Sequence, residues 1–213
     1  GNTMARKKER SPRVIVGVDG SPNSRAALDW AAAEAARREM PVLAVYALGM
    51  PLMVSASAGP AHFDPTDEIS EQATDVLTRA ATRVRELQPA VTVETETALE
   101  EAPLALLRHC RPRDVLVVGT RGLSALASVF VGSVSIRVAA QAPCPVVVVP
   151  SKEGKPATTS LKKIVVGVDD SDNARRALRV AVDLASERDA ELVVVNSWEV
   201  PYPYDPVAMT AMG

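Results

Sequence analysis

The chain has 213 residues, 47% hydrophobic and 23% charged, with a formal net charge of −2. That composition suits a globular protein with a real core in one or two domains, and the near-zero charge excludes nucleic acid as a bulk electrostatic partner. No apolar run approaches a membrane span, and the charged N-terminus lacks the following apolar region of a secretory signal.

Gly1-Asn2-Thr3 precede a start at Met4 and read as a cloning remnant. The basic residues Arg6, Lys7, Lys8, Arg10 and Arg13 are confined to the tail and read as solvated. Val14 to Val18 is a strand, ended by Asp19-Gly20-Ser21-Pro22. Asn23 to Glu39 is an alanine-rich helix, with Ser21 as its N-cap and Pro22 suited to the first turn. Its small residues predict close packing on a sheet. Val42 to Leu48 is a second strand, and the aperiodic stretch Gly49 to Thr66 reads as a long loop. Asp67 to Leu87 is a second helix, with Ala73, Val76, Leu77, Ala80, Ala81 and Val84 at helical spacing. Val91 to Ala98 alternates as a half-exposed edge strand does. Glu101 to Cys110 is a short third helix, Asp114 to Val118 a fourth strand, Gly132 to Gln141 a fourth helix, and Pro145 to Val149 a fifth strand. The order βαβαβαβαβ predicts an α/β fold, a five-stranded, parallel, doubly wound sheet with right-handed crossovers.

Ser151 to Ser160 is a polar linker, after which the opening of the chain is repeated. Val14–Leu48 aligns on Ile164–Trp198 without a gap, pairing Gly17 with Gly167, Asp19 with Asp169, Ser21 with Ser171 and Arg25 with Arg175. The expected organisation is a complete domain over 12–150, a linker over 151–160, and a partial second copy over 161–213 that stops inside a loop. A parent protein with two full domains in tandem is the corresponding expectation.

The chemistry concentrates around the fourth strand. Gly119 and Gly122 are followed by Gly132-Ser133 and the start of a helix. Strand, glycine loop and helix start together present backbone N–H groups to an anion, and glycine admits close approach of a ligand. The stretch reads as a phosphate cradle, the plain alternative being a helix-capping loop. It is neither a Walker A loop nor a G-x-G-x-x-G fingerprint. In a doubly wound sheet, ligands bind beyond the strand carboxyl ends where the order switches direction. If the first and fourth strands are central neighbours, Asp19 stands beside Gly119 there, able to accept from sugar hydroxyls. Alone it would be a turn residue. Cys110 and Cys144 have no metal-ligand spacing with His62 or His109, and two cysteines make no disulfide framework. The cytoplasm is the expected setting.

The spacing Gly119-x2-Gly122-x9-Gly132-Ser133, with Val16-Gly17-Val18-Asp19-Gly20-Ser21 at the front, resembles the ATP-binding branch of the universal stress protein family. The resemblance implies a flavodoxin-like sheet in the order 3-2-1-4-5, with ATP at the switch point. It puts Asp19 on the ribose and adenine side and Ala47 in the adenine pocket. Gly119, Gly122, Gly132, Ser133, Val134 and Ser135 fall around the phosphates, with Arg121 as a charged donor or a solvent-facing residue. Mg²⁺ with the phosphates is left open by the resemblance, and no metal-ligand cluster is visible. In the second copy, Asp170 replaces Gly20 and the glycine loop is missing from the chain, so one ATP site per chain is expected.

Two functions of different class remain open. One is a nucleotide-dependent sensor or regulator in stress response; the other is a slow ATPase or phosphotransfer enzyme using the same site. Phosphoryl transfer needs a group to orient the nucleophile, and no histidine or carboxylate falls inside the cradle, so binding is favoured and no catalytic residue is assigned. The apolar strand Val146–Val149 is expected at a sheet edge, where unprotected strands invite pairing. A homodimer through that edge, or through the partial second copy, is the expected assembly.

Overall fold

The computed structural model describes residues 9–120, 133–149, 163–168, 181 and 191–196. Nine strands and four helices are described, and seven of the strands form one sheet. Strand β1 (Val14–Gly17) leads into α1 (Pro22–Arg38) and β2 (Val42–Ala47). A small antiparallel pair, β3 (Leu52–Ser55) and β4 (Gly59–His62), precedes α2 (Asp67–Leu87) and β5 (Val93–Ala98). Then come α3 (Ala102–His109), β6 (Val115–Gly119), α4 (Ser133–Gln141) and β7 (Val146–Val149). Strands β8 (Lys163–Val168) and β9 (Glu191–Asn196) complete the set.

The large sheet runs β5-β2-β1-β6-β7-β9-β8. Its first five strands are all parallel and, counted within the large sheet, stand in the expected order 3-2-1-4-5. Helices α1 and α2 cover one face and α3 and α4 the other, giving two apolar layers. The central strands are buried on both faces, which explains their continuous runs of Val, Ile and Leu. Full burial of a side chain such as Ile15, Leu43 or Leu116 is worth about 1.5–3 kcal/mol each.

Local chemistry sets the helix ends. Ser21 Oγ accepts from the Ser24 N–H at 3.2 Å, capping α1 one residue before Pro22. At the other end Glu39 adopts φ +56°, and Met40 N donates to Ala35 O at 2.9 Å, closing the last turn. Thr66 caps α2, whose first turn carries Asp67 and Glu68, favourable at the positive end of the helix dipole. Helix α1 meets the sheet through Ala27, Ala31, Ala32 and Ala35, side chains short enough to bring the backbones close.

Two expectations are corrected. The stretch 49–66 holds the β3–β4 hairpin, with Leu52 opposite His62 and Val54 opposite Pro60. Its strands are short and solvent-exposed, so burial imposes no apolar alternation for a sequence pattern to reveal. The second concerns Val146–Val149, which is not an open edge. Strand β9 pairs with it antiparallel, setting Val146 against Val194 and Val148 against Leu192, so the same chain supplies the partner expected from a second molecule. The β8–β9 pair also keeps the register of the first copy. Ile164 faces Leu192 as Val14 faces Val42, and Gly167 faces Val195 as Gly17 faces Val45.

Candidate functional site

The carboxyl ends of the central strands converge where the strand order reverses. From β1, one crossover leads to β2 and β5, whereas β6 and β7 lie on the opposite side. The crevice between β1 and β6 is therefore the topological switch point of the first five strands. Asp19 follows β1 at this point and lies at the surface. Its Oδ1 accepts from Ser21 N at 2.8 Å, and its own N–H donates to Ser24 Oγ at 3.2 Å. Ser24 Oγ in turn donates to Ser21 O at 3.1 Å. The turn is thus fixed by its own side chains before any ligand arrives, with Gly20 at φ +82° in the region that favours glycine.

Ala47 ends β2 and faces Ala98 of β5, half-buried against the apolar layer under α3 and α4. Past it the chain stays bonded to the β5–α3 connection: Leu48 N donates to Ala98 O at 2.8 Å and Met50 N to Leu99 O at 2.7 Å. Gly119 ends β6 beside Val149. A Cβ on Gly119 would lie 2.5 Å from Asn23 O and 2.9 Å from Asn23 C, so glycine is demanded here by the packing of β6 on the first turn of α1. Ser133, Val134 and Ser135 form the first turn of α4. Ser133 is exposed and Val134 half-buried, while Ser135 is buried and donates from Oγ to Gly119 O at 3.2 Å. Arg121, Gly122 and Gly132 lie outside the described residues. The structure therefore brings Asp19, Ala47 and Gly119 to one end of the sheet, with the α4 start tied to the same point.

Sequence reading missed two features of this end. Asn23 was read only as part of a helix, yet its carbonyl fills the space beside Gly119. A groove of about 570 Å³ also runs from Asp19 and Ser21 between α1 and α2, past Arg25, Leu28, Val76 and Arg83. Its signal was Arg25 on one helix and Arg79 and Arg83 at helical spacing on the facing one, which by itself reads as a solvated surface.

The histidines lie elsewhere. His62, on β4, places Nδ1 2.9 Å from Met50 O and so ties the hairpin to its own base. His109 ends α3; its Nε2 is 3.0 Å from Glu96 Oε1 but off the line a hydrogen bond requires. Burial pushes the His109 pKa down despite that carboxylate. The Cys110 thiol is pushed far up by its contact with Cys144 and by burial, so it stays protonated and unreactive at neutral pH. Among the described residues, no group of three or more His, Cys, Asp or Glu side chains could hold a metal ion. Among them, too, no helix is long and apolar enough to cross a membrane.

At the opposite end of the sheet, Asp114 anchors the chain entry. It is 1% exposed and accepts from Arg10 Nη2 at 2.6 Å, Arg13 N at 2.9 Å and Arg111 N at 2.9 Å. Arg10 gains from the pairing, its pKa being raised chiefly by the hydrogen bond to Asp114.

Comparison with known proteins follows the same geometry. The model of the universal stress protein family matches residues 11–150 and 160–212. A universal stress protein of Mycolicibacterium smegmatis is 32% identical over 188 residues, covering 87% of this chain and 63% of the relative. Another, from Mycobacterium tuberculosis, is 30% identical over 198 residues, covering 90% of this chain and 66% of the relative. The chain thus spans a little under two thirds of the length of these curated relatives. Among solved structures, a universal stress protein from Archaeoglobus fulgidus aligns with a TM-score of 0.50 at 23% identity, covering 65% of this chain and 98% of that one. That likeness is one of fold. With the family model matched over both the first five strands and the repeated segment, the chain belongs to the universal stress protein family.

Proposed function

We propose that this universal stress protein binds ATP at the β1–β6 switch point and acts as a nucleotide-dependent sensor or regulator in the cytoplasm. The observation that carries the reading is the meeting of three elements at Gly119: the end of β6, the first turn of α1 at Asn23, and the first turn of α4 through Ser135. On this proposal the α4 N-terminus, with the exposed hydroxyl of Ser133, and the exposed Asp19 face the same ligand. In this reading Asp19 and Ala47 take the ribose and adenine. Gly119, Arg121, Gly122, Gly132, Ser133, Val134 and Ser135 surround the phosphates. The buried thiols of Cys110 and Cys144, in contact with each other but not joined as a disulfide, fit a reducing compartment. Since β9 covers β7, the route left to a homodimer is the segment 161–213, where β8 ends the sheet among the described residues.

The test is to denature the purified protein and identify released nucleotide by mass spectrometry, beside a Gly122→Asp, Gly132→Val double variant. ATP from the unaltered protein alone supports the reading. ADP or AMP in its place moves the function toward hydrolysis. No nucleotide released, and no ATP binding by calorimetry, would refute it and leave a protein–protein module with a structural glycine loop.

A further inference from the structure

The exposed apolar surface of this chain is gathered on one small element. Among the described residues, four of the six exposed large hydrophobic side chains belong to the β3–β4 hairpin and its base: Leu52, Met53, Val54 and Phe63, with Val54 79% exposed. From Gly49 to Phe63 there is no Asp, Glu, Lys or Arg, in a chain that is 23% charged. The backbone of the same element is open. Phe63 N donates to Pro51 O at 3.0 Å, and Leu52 stands opposite His62 and Val54 opposite Pro60. The alternation of an antiparallel ladder therefore turns the N–H and C=O groups of Leu52 and Val54 outward. Among the described residues, none of those groups meets another backbone group. The opposite edge differs, because the outward position on β4 opposite Val54 is taken by Pro60, which has no N–H to offer.

We infer that the β3 edge is a self-association surface, on which a second copy of this chain lays its own β3 antiparallel across a twofold axis at Met53. In that register Leu52 of each copy lies opposite Val54 of the other, so every outward donor finds an outward acceptor. A second copy is favoured over a different protein because an antiparallel edge is complementary to itself under a twofold axis. No side chain in the stretch carries a charge that would repel its own image. Two such hairpins, each marginal alone in water, become one four-stranded sheet. Pro60 closes the far edge, so pairing stops at the dimer rather than growing into a fibre. The hairpin is a sheet of its own, apart from the large one. This contact is therefore separate from the route through 161–213, and it does not depend on the nucleotide reading. A strand of four residues offers less than the roughly 800 Å² per partner of a stable complex, so the association is weak and follows concentration.

The experiment is sedimentation of the full chain over a wide range of concentration, beside Val54→Pro, Met53→Glu and Met53→Lys. Val54→Pro removes an outward N–H and spares the β3–β4 ladder, in which that group takes no part. The Met53 variants set like charges face to face on the axis. Expected for the unaltered chain is a monomer–dimer equilibrium, with a Kd that rises by about tenfold or more in each variant. An equimolar mixture of Met53→Glu and Met53→Lys should restore the dimer, since the charges across the axis are then opposite. Should a charged variant fail to fold, Val54→Pro carries the test alone. A monomer at every concentration overturns the inference and leaves the edge to an extended segment of a different protein. A dimer that the variants leave unchanged overturns it as well, and moves the contact to 161–213. So does a mixture that stays monomeric, because the substitutions would then have disturbed the hairpin and not a contact with its own image.

Discussion

Replacing Gly119 with alanine tests the packing at the centre of the site without invoking any ligand. The added methyl carbon would sit 2.5 Å from Asn23 O and 2.9 Å from Asn23 C, where ordinary contact begins at 3.4 Å. One backbone must therefore withdraw by about 0.9 Å, and neither side is soft, since Asn23 lies in the first turn of a capped helix and Gly119 is bonded into the sheet. Overpacking of this kind costs about 1–3 kcal/mol, and a clash between two backbones belongs in the upper part of that range. For a chain of this size a loss of about 2–3 kcal/mol lowers the Tm by roughly 5–10 °C. The assay is thermal unfolding beside urea titration, with Gly49→Ala as the reference. Gly49 has φ +60° and no atom within 4 Å of an added Cβ, so alanine there pays only left-handed backbone strain of about 1–2 kcal/mol. If Gly119→Ala melts no lower than Gly49→Ala, the close approach of β6 to α1 is wrong.

Two further outcomes follow from the other end of the sheet and from α3. Asp114→Ala removes a buried carboxylate that holds Arg10 and two backbone N–H groups; the expected loss is about 3–5 kcal/mol, read from the urea midpoint, and a loss below about 1 kcal/mol would mean that water replaces the anion freely. His109 has a folded pKa lowered by burial, so the unfolded chain takes up its proton first. Stability should therefore fall as pH drops below the unfolded value of about 6.5 and continue falling until the lower folded pKa is reached. His109→Gln should flatten that limb of a stability–pH curve, and an unaltered slope would show that other groups carry it.

Element order and strand order were readable because central parallel strands and alanine-faced helices leave strong patterns. The runs Val14–Val18, Val42–Leu48 and Asp114–Val118 read as strands and are observed as Val14–Gly17, Val42–Ala47 and Val115–Gly119, and Asp67–Leu87 matches its expected span. The hairpin left no such pattern, since Leu52, Met53 and Val54 are exposed together and nothing buried enforces alternation. The partner of β7 was unreadable for another reason. Four consecutive valines announce a buried strand but carry no address, and the strand that covers them lies in the repeat. At the candidate site, the strand ends carrying Asp19 and Gly119 were readable in the sequence and Ala47 came from the family resemblance, whereas the part of Asn23 was not readable. A backbone carbonyl that excludes a Cβ depends on how closely a helix sits on a strand, and no residue type encodes that.

The antiparallel seam between β7 and β9 changes how the first repeat is protected. Four valines with unpaired N–H and C=O groups are an adhesive edge, and a molecule that must find its cover in a second copy is protected only as well as its concentration allows. Here the covering strand is tethered to the strand it covers, so its effective concentration is set by the chain between Val149 and Glu191 and stays the same however dilute the protein becomes. Cover from within the chain is a unimolecular safeguard, independent of how much of the protein is made.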